Sequence, residues 1–457
     1  MSLFRKLDRL DQVAGTALAV LTLAVVALIA YINWAGISVN LHTANPHEAA
    51  SPYETLTLVF SQPVKPADAE NAFSLEPAIP GTLTWENDRV AHFVPDKPYL
   101  GSVVVRLTRG QLGAGGEWLR NDLSWTLITR PIRIVYVSHA EPKNELFSID
   151  PDEATPQQLT STNGKVFDFD VAPSGDTIAY TAINDENSLD IWLVDRDGQN
   201  PRILLDCGAD RCLVPVWSPD GKSIAYNRQP AGLTPNSPNG APRPWIVNIQ
   251  TGENRPVFSD SQAIGYGTLW SPDGTWLATF DGLADQIRVV NLKSGQQISL
   301  PSSLGMLGSW SPDSTFLVYT DQTMGVNNIL KTYLYRADFK TGEVSILLGK
   351  GDDTVDHAYG NPAWSPAGDN IVFSLQAEPE RPDRHLWVIR PDSLGGPIIA
   401  SEPGFSYNSY SWDPWGIGLV VQQVNLKQAF TPEIAVWRPI QGYKVTAVKG
   451  IFPRWLP

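Results

Sequence analysis

The decapeptide "WSPDGKSIAY" (Trp217–Tyr226) returns as "WSPDGTWLAT" from Trp270, "WSPDSTFLVY" from Trp310, "WSPAGDNIVF" from Trp364 and "WDPWGIGLVV" from Trp412. A looser copy, "APSGDTIAY", begins at Ala172. This repetition restricts the fold more than any other feature of the chain. An apolar residue stands three places after each turn glycine (Ile178, Ile224, Leu277, Ile371, Leu419), and Leu317 holds that place after Ser314. Two positions further on stands Tyr180, Tyr226, Thr279, Tyr319, Phe373 or Val421. A period of two marks a strand with one buried face. The Ser-Pro-Asp-Gly before it is a turn: proline presets φ at the first corner, aspartate caps, and glycine takes the positive φ. Each copy is therefore strand, tight turn, strand. A third strand follows ("DIWLVD", "QIRVVNL", "HLWVIR"), then a turn such as "RDGQ" or "KTGE" and a short fourth strand such as "RILLD". Four antiparallel strands recurring at a mean of roughly 47 residues describe a β-propeller blade.

The ends of the repeat region complete one another. It opens with "IRIVYVS" (Ile132–Ser138), a second strand without a first, and closes with "IFPRWLP" (Ile451–Pro457), a first strand without a second. The last strand is expected to complete the first blade and close the ring. First strands centred on Ala172, Trp217, Trp270, Trp310, Trp364, Trp412 and Trp455 predict seven blades, with six as the alternative if one degenerate unit is overread. The "WSPDG" phrase followed by "IAY" resembles the TolB-like family of bacterial propeller repeats, over about Pro131 to Pro457. The resemblance implies the fold. Its relatives include periplasmic proteins that bind partner proteins or peptides, and propellers attached to serine peptidases. This chain departs from TolB itself in lacking its accessory α/β domain.

The N-terminal third reads differently. Val13–Ile32 is twenty residues without a charge, preceded by Arg5, Lys6 and Arg9 and followed by Trp34. At about 1.5 Å per residue the run reaches roughly 30 Å, a bilayer's hydrocarbon thickness. It is expected to be an uncleaved signal anchor: residues 1–11 cytoplasmic, 12–35 a single transmembrane helix, and the bulk of the chain extracytoplasmic. Residues 38–130 alternate apolar and polar positions between Pro, Gly and Asn/Asp turns, as in "ETLTLVFSQPVKP". That length of short strands fits an immunoglobulin-like β-sandwich, and the phrasing resembles bacterial Ig-like domains, which implies a stalk. The predicted fold is thus all-β, with residues 131–457 as the propeller.

A formal net charge of −14, with no basic run beyond the N-terminus, excludes phosphate-backbone binding, so no nucleic-acid partner is expected. Cys207 and Cys212, in "CGADRC", are expected to form a small-loop disulfide.

The repeated Trp, Pro, Asp and Gly are packing and turn residues, so function is sought where the repeat loses uniformity, just upstream of each tryptophan. There Asp168, Asp170, Tyr266, His357, Tyr359, Asn361, Tyr407, Asn408 and Arg454 are expected to converge at one mouth of the channel. Aromatics with a few carboxylates and amides suit an extended peptide or a sugar. The expected function is a membrane-anchored binding or scaffold protein for a protein, peptide or envelope polymer. No G-x-S-x-G nucleophile elbow is present, and no enzyme activity is expected. The competing readings are a metal-assisted hydrolase or cyclase using channel carboxylates and His357, and a purely structural envelope component. No cofactor is expected; Asp352, Asp353 and Asp356 are the residues a Ca²⁺ ion would take, against the commoner reading of a solvated acidic loop. An insertion, Asn227–Trp245, separates the second and third strands of the blade that follows the cysteine pair.

Overall fold

The structure, a computed structural model, describes residues 9–43, 50, 54–96, 99 and 101–457, except 152–154, 235–236, 261, 325–329, 350–357, 377–380, 382, 392–397, 401–403, 415, 417, 428–430 and 439–441. The chain divides into two compact units, Met1–Arg130 and Pro131–Pro457.

In the first unit a helix, Arg9–Ala35, precedes two antiparallel sheets. One sheet takes its strands in the order Val39–His42, Leu56–Phe60, Val90–Pro95, Gly81–Asn87. The other takes Phe73–Glu76, Ser102–Leu107, Leu123–Ile128. Strict alternation buries Leu56, Leu58 and Phe60 between half-exposed neighbours. Leu58 and Phe60 share a core with Leu107 of the second sheet, and Leu56 shares another with Val103 and Val105, so the sheets pack face to face.

The expected transmembrane helix, and with it single-pass membrane localisation, must be corrected. No helix among the described residues is long and apolar enough to cross a membrane.

The second unit contains, among the described residues, seven four-stranded antiparallel blades. Blade 1 joins Arg133–Ser138, Leu146–Ile149 and Gln157–Gln158 to the end of the last strand, Gly442–Leu456. The inner strands of blades 2 to 7 are, in turn, Val166–Val171, Arg211–Trp217, Tyr266–Trp270, Ser309–Trp310, Ala358–Trp364 and Phe405–Trp412. Gly442–Leu456 serves two blades. Tyr443 pairs with Trp437 at the outer edge of blade 7, while Trp455 pairs with Ile134 as the inner strand of blade 1. Arg196 fastens this seam, donating from Nη1 to Pro457 O at 2.8 Å and from Nη2 to Pro131 O at 3.0 Å.

The repeated residues have structural work. Ser218 Oγ donates to Asp220 Oδ1 at 2.6 Å and accepts from Ser223 N at 2.9 Å. Ser271 with Asp273 and Ser311 with Asp313 repeat the arrangement. The Ser311 hydroxyl bond holds Asp313 below the usual carboxylate range. Gly221 and Gly274 sit at φ 67°, and Ser314 occupies the same left-handed region at φ 59°. The tryptophans stitch blades together: the indoles of Trp270, Trp412 and Trp455 donate to Val216 O, Ala363 O and Ser411 O at 3.2, 3.0 and 3.1 Å. Each acceptor is the residue just before the tryptophan of the preceding blade.

The Cys207–Cys212 disulfide is present. Asp210 within its loop accepts from Arg228 Nε at 2.8 Å and from Ala231 N at 2.9 Å, so the clip holds the base of the inserted arm. Gly240 N donates to Pro230 O at 2.8 Å to close that base, and Leu233 is fully exposed beyond it.

Candidate functional site

The inner strands are irregular at one level. Their pairing slips at Val166/Asp168, Leu213/Val216, Tyr266/Leu269, Gly360/Ala363, Tyr407/Ser409 and Ile451/Arg454. Each slip is a β-bulge, which leaves residues unpaired and re-aims the side chains around it. Val214, Asn361 and Phe452 stand there with φ of 52°, 43° and 55°, each followed by proline. A β-branched or bulky residue rarely takes positive φ, and such strain persists only where the surroundings over-determine it. The bulges ring the axis of the propeller.

Within that ring lies a cavity of about 620 Å³ where Asn361, Asn408 and Arg454 meet Leu269, Ser309 and Tyr410. These six residues come from the inner strands of blades 6, 7, 1, 4, 5 and 7. Arg454 also acts on two carboxylates of blade 2. Desolvation pushes Asp170 up to about 6, against the opposing pull of the Trp217 amide and of Arg454. The Trp217 amide donates to Asp170 Oδ2 at 2.8 Å. Asp168 is raised by the same desolvation, opposed by the Phe169 amide and by Arg454. Both aspartate residues are half-buried. Arg454 itself donates to Pro453 O at 3.3 Å, so two carboxylates share the field of one guanidinium without a direct ion pair among the described residues.

Arg454 thus links two groups of candidates, sharing the cavity with Asn361 and Asn408 and acting on Asp168 and Asp170, whereas other candidates lie apart. Tyr407 is fully buried in the core of blade 7. Tyr359 packs beside Phe373, with ring centroids 5.7 Å apart, and is half-buried against the core between blades 5 and 6. Tyr266 is exposed at the start of its strand. His357, with the Ca²⁺ candidates Asp352, Asp353 and Asp356, lies outside the described residues. Among the described residues no cluster of three His, Cys, Asp or Glu is placed to hold a metal.

Sequence reasoning missed Ser309 and Tyr410. Ser309 Oγ accepts from Trp364 N at 3.0 Å, joining blades 5 and 6. The Tyr410 hydroxyl bonds Gly360 O and Asn361 O, holding the strained bulge of blade 6, and burial pushes its ionisation well above the ordinary tyrosine range. The signal was there to count. Asp170 and Tyr410 both stand two places before the repeat's tryptophan position.

Comparison with known proteins bears on the fold. A family model for the TolB beta propeller domain matches residues 184–423. The chain is 26% identical over 218 residues to the uncharacterized peptidase YuxL of Bacillus subtilis (strain 168), covering 46% of this chain and 29% of that protein. It is 28% identical over 194 residues to the Tol-Pal system protein TolB of Francisella tularensis subsp. tularensis (strain SCHU S4 / Schu 4), covering 41% of this chain and 40% of that protein. It is also similar to a solved TolB from Acinetobacter baumannii, with a TM-score of 0.41 and 15% identity over 84% of this chain and 83% of that one. The chain spans less than half the length of the curated relatives it matches. With more than half of its residues inside the matched region, the chain belongs to the TolB beta propeller domain family.

Proposed function

We propose that the propeller is a binding scaffold that takes an extended protein or peptide segment into the channel mouth, and that the segment brings a basic side chain to Asp168 and Asp170. One observation carries this reading: two desolvated carboxylates face a single guanidinium, leaving the channel with unmet negative charge. A cation arriving there relieves the desolvation cost of both. Asn361 and Asn408, exposed to the same cavity, are suited to pair with the backbone of an extended chain. Similarity to a Tol-Pal system protein supports a protein partner. We further read residues 38–130 as an Ig-like spacer, on the strength of their two packed sheets.

The test is selection of a displayed random-peptide library on the full chain. Enriched peptides are expected to carry Lys or Arg and to bind at least ~10-fold more weakly to the Asp168→Asn/Asp170→Asn variant. Enrichment without basic residues, or binding indifferent to that variant, would overturn the reading.

A further inference from the structure

A second concavity lies away from the axis, in the groove between blades 1 and 2, with a volume of about 630 Å³. This is within the range of sites that bury small ligands, roughly 300–1,000 Å³. Its floor is fixed by strand register. Tyr180 pairs with Trp192 and Ala182 with Asp190 on the second and third strands of blade 2. Residues directly opposite share a face, and so do residues two apart. The four side chains therefore form one patch facing blade 1. The Tyr180 and Trp192 rings stack with centroids 6.5 Å apart and an interplanar angle of 23°. Beside them the small Ala182 leaves room above Asp190.

The polar groups of this patch are incompletely used. Asp190 is only 5% exposed. Its Oδ1 accepts from Asn184 Nδ2 at 3.0 Å and from Cys207 N at 2.8 Å. Its Oδ2 has no hydrogen-bond partner among the described residues, and neither does the hydroxyl of Tyr180, a residue 3% exposed. Both residues line the groove. Burial and the neighbouring Glu145 push Tyr180 up to about 12, so its hydroxyl stays neutral. The opposite wall offers less. Thr160 and Thr162 commit their hydroxyls to Glu145, at 2.6 and 3.0 Å.

The charges narrow the ligand. Lys165 lines the groove together with Asp185 and Asp190, so charge of either sign meets a repelling group. The unused atoms of the floor mainly accept hydrogen bonds. A fitting ligand is therefore uncharged, rich in hydroxyl donors, and able to lay a flat apolar face on two aromatic rings. We propose that this groove is a carbohydrate site, in which a neutral pyranose stacks its C–H face on Tyr180 and Trp192 and donates a hydroxyl to Asp190 Oδ2. The site uses no inner-strand residue and is independent of the channel reading.

The experiment is calorimetry and saturation-transfer NMR on the full chain, with maltotriose, cellotriose and tri-N-acetylchitotriose as probes. Trigalacturonate and free lysine serve as charged controls. At least one neutral trisaccharide is expected to bind, with ring C–H protons receiving the strongest transfer. Asp190→Asn preserves Oδ1 and its two bonds and changes only the free oxygen; it is expected to weaken binding ~10-fold. Ala182→Leu fills the floor and is expected to abolish binding, whereas Asp168→Asn leaves it unchanged. Thermal melting of each variant reports its folding. If both groove variants melt early, the wild-type probe set and the Asp168→Asn control decide alone. Failure of every neutral probe at millimolar concentration overturns the proposal. So does binding of only a charged control, or affinity that Asp190→Asn and Ala182→Leu leave intact.

Discussion

Asp170 gives a prediction with an unusual sign. In the unfolded chain its carboxyl has the ordinary aspartate value of 3.8, and burial in the folded propeller pushes it up to about 6. At 1.36 kcal/mol per tenfold change in affinity, ionising it in place costs about 3 kcal/mol more than ionising it in water. Below pH ~4 both states hold the proton and the residue contributes nothing. Between ~4 and ~6 the folded state binds more protons than the unfolded state, so stability falls as pH rises, and above ~6 the full cost is present. Because the residue is only half-buried, solvent screening lowers the expected figure to about 1.5–3 kcal/mol. Asp170→Asn retains an oxygen for the Trp217 amide and removes the charge. In urea titrations followed by tryptophan fluorescence, the variant should be more stable than wild type at pH 7 by that amount. The gap should close at pH ~4. Taking the difference between the two proteins at each pH cancels the titration of groups that do not interact with Asp170; Asp168, which does, adds a smaller change of the same origin. A gap independent of pH, or a variant less stable at pH 7, would refute the assignment of an uncompensated carboxylate to the channel.

Arg196→Ala removes two hydrogen bonds from a charged donor at the seam, to Pro457 O and Pro131 O, and should lower the urea midpoint by an amount equivalent to about 2 kcal/mol. An unchanged midpoint would show that the seam does not depend on it. Two glycines should respond very differently to alanine. Gly274, at φ 67° with open space around it, should lose about 1 kcal/mol from backbone strain alone. Gly308, at φ 78°, would press a Cβ into Val318 O and the Tyr319 backbone, and should lose on the order of 3 kcal/mol or more. Equal losses on thermal or urea unfolding would contradict the close approach of Gly308 to the neighbouring strand of blade 5. Replacing Cys207 and Cys212 with serine opens a short loop, costing about 2 kcal/mol by chain entropy. Hydrogen exchange at Ala231 should quicken selectively in that variant, because Asp210 then loses its fixed position.

The blades were legible because the repeat signals them at three levels at once: turn chemistry, period-two burial and a shared tryptophan. Ile224, Leu277 and Leu317 are all fully or almost fully buried, as that register requires. The channel was less legible, and the reason is the bulge. Tyr407 and Asn408 were both named from their place upstream of Trp412, but adjacent residues of a strand face opposite ways, and the slip between Tyr407 and Ser409 changes which residues share a face. Tyr410, not Tyr407, lines the cavity with Asn408. Asn361 and Arg454 escaped this error because each sits in or just after its own slip. The coupling of the disulfide clip to the inserted arm was also hidden. Nothing in "CGADRC" indicates that its aspartate will accept from a backbone amide beyond the next strand.

The strand that serves two blades bears on how the ring comes into being. Ser138 is paired with Gly450 and Ile134 with Trp455, contacts between residues over three hundred positions apart. Blades 2 to 6 form from neighbours in sequence and can assemble in the order they are synthesised. Blade 1 cannot. Until Gly442–Leu456 is made and docked, Arg133–Ser138 presents an unpaired inner edge, the kind of edge on which chains aggregate. The axial cavity is likewise incomplete before that step, since Arg454 arrives on the same strand. A chain that lacks this strand thus has nearly all its blades and an unfinished axial cavity, and on the proposed binding role ligand competence would report that assembly has reached its last contact.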